Sequence, residues 1–323
     1  MEKVLVFLGT GGTIAGKAST NLDNVGYTAA QVGVQELLQS VAGLHERLKG
    51  CAVELEQVAQ VDSKDMTHSV WQALTERIVQ HLARESVQAV VVTHGTDTLE
   101  ETAYFLSRVL PSNWLAEKAV VLTCAMRPAT ALSPDGPQNL LDSVCVALDG
   151  RARGVLAVCA GAVHAAGQVQ KTHPYRLDAF DSGESGPLAW VEEGRVRWGP
   201  AGCPVVSGLP RATTSDPASW PRVEVVLSHA GANGAVVRAL CARASIDYPP
   251  LRGIVVAGSG NGTVHQDLER ALVDAMAQDI RVVRSTRCAY GAVVPGGAAA
   301  IGEVSPQSPC KARIDLLLDL MQP

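Results

Sequence analysis

The sequence predicts an α/β fold: a larger amino-terminal domain built on a doubly wound parallel sheet, followed by a smaller carboxyl-terminal α/β domain. Three observations predict it. Val4-Leu5-Val6-Phe7-Leu8 and Ala89-Val90-Val91-Val92 are unbroken apolar runs that end at glycine and threonine, as buried parallel strands do. Apolar runs and amphipathic segments then alternate through the first two-thirds of the chain, the pattern of successive βαβ units. Between about Arg195 and Arg222 stand Gly199, Pro200, Gly202, Pro204, Gly208, Pro210, Pro217 and Pro221, a density that marks a linker. The 323 residues thus divide into a catalytic domain at 1–198, a linker at 199–221 and a second domain at 222–323.

Strands are expected at 4–8, 52–60, 88–93, 118–124 and 154–159, and helices near 30–41, 67–84, 98–109 and 136–148. The third helix has the clearest pattern, with Leu99, Ala103, Leu106 and Leu110 at helical spacing. Thr98-Leu99-Glu100-Glu101 supplies a capping-box pattern at its start, which makes Thr98 its expected N-cap. Beyond the linker, strands are expected at Val223–Leu227, Ile254–Ala257 and Arg281–Val283, and helices near 232–244 and 266–278. Ile314–Leu320 reads as a short apolar helix.

Composition narrows the function. Only 4% of residues are aromatic, too few for base-stacking platforms, and the net charge of −5 with scattered basic residues speaks against a nucleic-acid partner. The 8 cysteines form no C-x-x-C pair and the histidines no H-E-x-x-H pattern, so neither a metal nor another cofactor is expected. Every apolar run is interrupted short of membrane-spanning length, so no membrane partner is expected. The chain opens on a strand directly after Met1-Glu2-Lys3 with no leader in view. A cytoplasmic protein is expected, or a periplasmic one if a leader has been removed.

Two threonine-glycine segments follow the first and third strands, where ligands of parallel sheets bind. The first, Gly9-Thr10-Gly11-Gly12-Thr13-Ile14-Ala15-Gly16, fails the dinucleotide fingerprint because Ile14 stands at its last glycine. It fails the phosphate-loop pattern because Ala18 follows Lys17. It remains a flexible strand exit offering the hydroxyls of Thr10 and Thr13. The second, Thr93-His94-Gly95-Thr96-Asp97-Thr98, sets a hydroxyl and a carboxylate side by side ahead of a helix amino terminus. A threonine hydroxyl needs a neighbouring base or polarising group, and Tyr27 and Lys171 are the candidates.

Together these segments resemble the bacterial-type L-asparaginase and glutaminase-asparaginase family. The resemblance continues through Ala125-Met126-Arg127-Pro128, Asp135-Gly136-Pro137 with Asn139, Lys171-Thr172, Gly258-Ser259-Gly260-Asn261-Gly262 and Val283-Arg284-Ser285-Thr286-Arg287, in family order over nearly the whole chain. It implies a flavodoxin-like first domain and hydrolysis of L-asparagine to L-aspartate and ammonia, with low glutaminase activity. In the family the threonine matching Thr13 forms an acyl-enzyme with the substrate amide carbon, assisted by the tyrosine matching Tyr27. Thr96 matches a second threonine, linked to a lysine matching Lys171. Asp97 matches the aspartate on the substrate α-amino group, and Ser63 the serine on its α-carboxylate. Asn261 matches an asparagine that reaches a neighbouring subunit's site, which implies a homo-oligomer, in the family a tetramer built as a dimer of dimers. Which threonine acts first, and which group is the base, stays open at this point.

Two departures from the family concern the substrate's α-ammonium. Lys64 stands where many members have glutamine, and Gly291-Ala292-Val293-Val294-Pro295-Gly296-Gly297-Ala298 lacks the acid found there in the family. Both predict altered reading of that ammonium. Rival readings are an amidase for another small amide, a catalytically weak amino-acid-binding sensor, and an ammonia-producing subunit of a transfer-RNA amidotransferase. No cysteine lies between Cys51 and Cys124, so a disulfide seen around the second threonine motif in some exported members has no counterpart, in keeping with a reducing compartment. Segment 16–28, with Gly16, Ser19, Thr20, Asn21, Asn24 and Gly26, has the composition of a mobile lid.

Overall fold

The computed structural model describes residues 2–48, 50–200, 202–203, 216–242, 249–296 and 301–322. The chain separates into two compact units, Met1–Pro210 and Arg211–Pro323. Most of the expected linker, 204–215, lies outside the described residues.

The strands of the first unit are β1 (Lys3–Gly11), β2 (Cys51–Val61), β3 (Val87–Thr93), β4 (Ala119–Thr123), β5 (Gly154–Cys159), β6 (Ala162–Ala165), β7 (Gln170–Lys171), β8 (Phe180–Asp181), β9 (Ala189–Glu192) and β10 (Arg195–Trp198). Its helices are α1 (Val34–Gln39), α2 (Leu44–Arg47), α3 (His68–Leu82), α4 (Leu99–Val109), α5 (Ser112–Leu115) and α6 (Gly136–Leu148). Eight strands form one sheet in the order β10-β9-β6-β5-β4-β3-β1-β2, while β7 and β8 pair apart from it. The five strands from β2 to β5 run parallel in the order 2-1-3-4-5, the doubly wound order expected.

The apolar runs explain this burial. Leu5, Phe7, Val91, Val121, Leu156 and Val158 point to one face and pack with Val34 and Leu38 of α1 and Leu140 and Val144 of α6. Val6, Leu8, Val90 and Val92 alternate with them and are equally buried, so both faces of the central strands are covered. On the strands' flanks, α3 packs on β2 and β3, and α4 on β5.

Three expectations need correction. The helix expected near 30–41 is α1 alone, because residues 30–32 are used otherwise. Ala30 has φ +55°, and the N–H groups of Ala30, Gln31 and Val32 donate to Gly12 and Ala15, covering the turn after β1. The proline- and glycine-rich stretch is counted from about Arg195 and no strand is expected there, but residues 195–198, the end of the first domain, form β10. It forms a hairpin with β9 through Glu193 and Gly194, both at positive φ, and β5 and β6 turn likewise through Ala160 and Gly161. Finally, Thr98 is the N-cap residue of α4 but makes no side-chain cap; its hydroxyl donates instead to the Ser63 carbonyl at 2.7 Å.

The second unit carries β11 (Arg222–Leu227), β12 (Leu251–Gly258), β13 (Arg281–Thr286) and β14 (Glu303–Val304) in one parallel sheet, with α7 (Ala235–Cys241), α8 (Gln266–Met276) and α9 (Pro309–Asp319). Val226, Ile254, Val256 and Val282 form its core with Val237 of α7 and Leu268 and Leu272 of α8. No helix among the described residues is long and apolar enough to cross a membrane.

Candidate active site

β1 and β3 lie side by side where the winding of the sheet reverses, the position at which such sheets open a crevice beyond their strand ends. Beyond β1 the chain bends through Gly11 and Gly12, at φ +103° and +84°, into a short 3-10 turn, Thr13–Ala15. Gly12 faces Gly95 of the loop beyond β3, so closely that a Cβ on Gly12 would lie 2.3 Å from Gly95 Cα. A Cβ on Gly95 would lie 2.4 Å from Ser63 Oγ. Glycine at both positions lets the loops after β1 and β3 meet backbone to backbone and lets the Ser63 side chain close on the second. Thr10 adds a tie, its hydroxyl donating to the Thr93 carbonyl at 2.9 Å, and so is structural.

Thr13 and Thr96 are both buried, and each has its own partner. Thr13 Oγ1 lies 2.6 Å from the Tyr27 hydroxyl. Lys171 Nζ donates to Thr96 Oγ1 at 2.9 Å and to Asp97 Oδ1 at 2.6 Å. Burial pushes the Tyr27 phenol above its ordinary pKa against the hydrogen bond from Thr13, and the carboxylates of Asp62 and Asp97 push the same way as burial.

Tyr27 rides on a loop whose ends are joined by reciprocal backbone bonds between Lys17 and Thr28, 2.9 Å each. The base of that loop is fastened to the segment after β4. Ala129 N–H donates to Gly16 O at 3.0 Å, Ala18 N–H to Thr130 Oγ1 at 2.8 Å and Leu132 N–H to Asn21 O at 2.9 Å.

Ser63 Oγ accepts from the Asp97 N–H at 3.1 Å, so the serine and aspartate expected to hold an amino acid's two charged ends are linked. Lys64 is exposed, and its ammonium pairs with Asp62 at 3.7 Å and with Asp65 more closely. The bond to Asp65 holds the Lys64 pKa up. Asn261 belongs to the second unit. There its amide clasps the backbone of Val294, donating to O at 3.1 Å and accepting from N–H at 2.7 Å.

The first unit therefore brings together Thr13, Tyr27, Ser63, Thr96, Asp97 and Lys171, while Lys64 turns to its own loop. His94 is fully buried beside them, its Nδ1 2.7 Å from the Gly95 carbonyl, and burial lowers its pKa to about 4, so it is neutral. Sequence reasoning missed Glu100, read there only as part of a cap pattern. Its buried carboxylate accepts the backbone N–H of Lys171.

Paired hydroxyls with separate proton-carrying partners, set at the mouth of a doubly wound sheet, belong to a hydrolase of amide bonds. The family model for the asparaginase amino-terminal domain matches residues 3–201, and that for the glutaminase/asparaginase carboxyl-terminal domain matches 222–322. The chain belongs to the asparaginase family.

Its relatives include L-asparaginase 2 of Escherichia coli, 34% identical over 98% of this chain and 89% of that one. Glutaminase-asparaginase of Pseudomonas fluorescens is 33% identical over 90% of this chain and 77% of its own. The solved structure of a probable cytoplasmic L-asparaginase from Campylobacter jejuni superposes with a TM-score of 0.85 at 32% identity, covering 99% of this chain and 96% of that one.

Proposed function

We propose that the chain hydrolyses L-asparagine to L-aspartate and ammonia through an acyl-enzyme on Thr13, with low activity on L-glutamine. The observation that carries this reading is the pair of buried hydroxyls, Thr13 with Tyr27 and Thr96 with Lys171, at neighbouring strand ends.

In the first step Thr13 Oγ1 bonds to the side-chain amide carbon. Tyr27 relays the hydroxyl proton to the amide nitrogen, the C–N bond breaks and ammonia leaves. Backbone N–H groups of the two loops stabilise the tetrahedral oxyanion. In the second step a water oriented by Thr96 and Lys171 adds to the ester carbon, the ester C–O bond breaks and the proton returns to Thr13. Asp97 binds the substrate α-ammonium and Ser63 its α-carboxylate, so the side-chain amide falls between the threonines. Lys64, drawn onto Asp62 and Asp65, leaves less negative potential for that ammonium.

The family matches to 3–201 and 222–322 support domains at 1–198 and 222–323. We assign Asn261 to a neighbouring copy's site, in an assembly of at least two copies and, by the family pattern, a tetramer in the cytoplasm. A monomeric mass in solution with full activity would sink that assignment.

The test of function is ammonia release from L-asparagine, L-glutamine and succinamic acid by the wild type, Thr13→Ala and Thr96→Val. Turnover of asparagine that is lost in both variants upholds the reading. Binding of aspartate without turnover of any amide replaces it with an amino-acid sensor.

A further inference from the structure

Lys171 sits on β7, which does not belong to the eight-stranded sheet. Its ladder with β8 is two residues long, Gln170 opposite Asp181 and Lys171 opposite Phe180, too short to fix a side chain by itself. Yet the ammonium must meet both Thr96 Oγ1 and Asp97 Oδ1. What holds it comes from the opposite partner. The Glu100 carboxylate, buried in the first turn of α4, accepts the backbone N–H of Lys171. Thr96 and Asp97, four and three residues before Glu100, take the ammonium of the same lysine. One short stretch of chain thus grips Lys171 at both ends, and the ammonium's reach is set against the groups it serves.

We infer that Glu100 is a positioning residue for Lys171, acting through the lysine's main chain rather than touching substrate. The inference rests on the proposed function above and names a group that this function needs. A carboxylate suits the place because the amino end of α4 favours negative charge, and because a charged acceptor makes the stronger hydrogen bond. Without it the Lys171 main chain loses its tie to α4, and a displacement on the order of 1 Å at a catalytic group costs about 100-fold in rate.

The experiment compares Glu100→Ala, which deletes the acceptor, with Glu100→Gln, which keeps an oxygen acceptor of the same reach. Both variants are first matched to the wild type by thermal midpoint and circular dichroism. The expected result is a kcat lowered about 10- to 100-fold in Glu100→Ala, a KM within about threefold, and a kcat within about threefold in Glu100→Gln. A second readout is independent of turnover. Labelling of Lys171 by an amine-reactive reagent, followed by mass spectrometry, should be faster in Glu100→Ala and unchanged in Glu100→Gln. A folded Glu100→Ala enzyme with wild-type kcat and wild-type labelling overturns the inference, as does a Glu100→Gln enzyme that falls as far as Glu100→Ala. If the wild type turns over no amide, the proposed function fails instead, and the labelling comparison still decides the role of Glu100.

Discussion

The Tyr27 hydroxyl lies 2.6 Å from Thr13 Oγ1, although the tyrosine rides on a surface loop and the threonine is buried at the end of a central strand. With its pKa raised by burial, the phenol keeps its proton across the neutral range, which suits the relay proposed for it rather than abstraction. Tyr27→Phe should therefore lower kcat about 100-fold with little change in KM, while Thr13→Ala abolishes turnover. Steady-state kinetics on L-asparagine checks both, and an unimpaired Tyr27→Phe enzyme would remove the tyrosine from the mechanism.

Thr96 and Lys171 are joined by a 2.9 Å bond, and the proposed mechanism uses them as one unit. Thr96→Val and Lys171→Met should each cost roughly 100-fold or more in kcat, and the double variant little more than the worse single one. Multiplying losses in the double variant would mean that the two groups serve separate steps.

Gly12 is irreplaceable on steric grounds, since its missing side chain is where Gly95 stands. Gly12→Ala adds an unfavourable positive φ to a backbone collision, so unfolding free energy should fall by about 1–3 kcal/mol and activity should disappear. Chemical denaturation with an activity assay tests this; a stable, active Gly12→Ala protein would show that the loops can part without harm.

His94 and His164 are held by burial near a pKa of about 4 against an ordinary 6.5. Between those values the unfolded chain binds protons that the native chain does not, so stability falls as pH drops from 6.5 to 4. Each histidine accounts for roughly 3 kcal/mol by the lower limit. The thermal midpoint should drop steeply over this window, and His164→Gln should make the drop shallower. Equal slopes in the two proteins would place the acid sensitivity elsewhere.

Lys64 neutralises Asp62 and Asp65 at the rim. Lys64→Gln should raise the preference for asparagine over succinamic acid, which lacks the α-ammonium, by roughly threefold, the scale of an exposed ion pair. An unchanged ratio of kcat/KM for the two amides would dismiss the lysine from recognition.

The legible part of the molecule is the part written in local pattern. β1 and β3 show as apolar runs because both of their faces are buried, and the threonines that end them fall where the sheet order requires a crevice. The antiparallel extension was not legible, since β6, β9 and β10 are four residues each and depend on turns at Ala160-Gly161 and Glu193-Gly194. Nor was the role of Thr98. Its local sequence favours a cap, but packing brings the Ser63 carbonyl within 2.7 Å and the hydroxyl goes there. Glu100 was hidden for the same reason: its partner lies 71 residues away, and no local pattern carries such a contact.

The loop over the crevice is tied down at Gly16, Ala18 and Asn21, and within it the N–H groups of Val25 and Gly26 donate to the Asp23 carboxylate at 2.9 and 2.7 Å. The position of the Tyr27 phenol against Thr13 thus depends on the length of chain between Lys17 and Thr28.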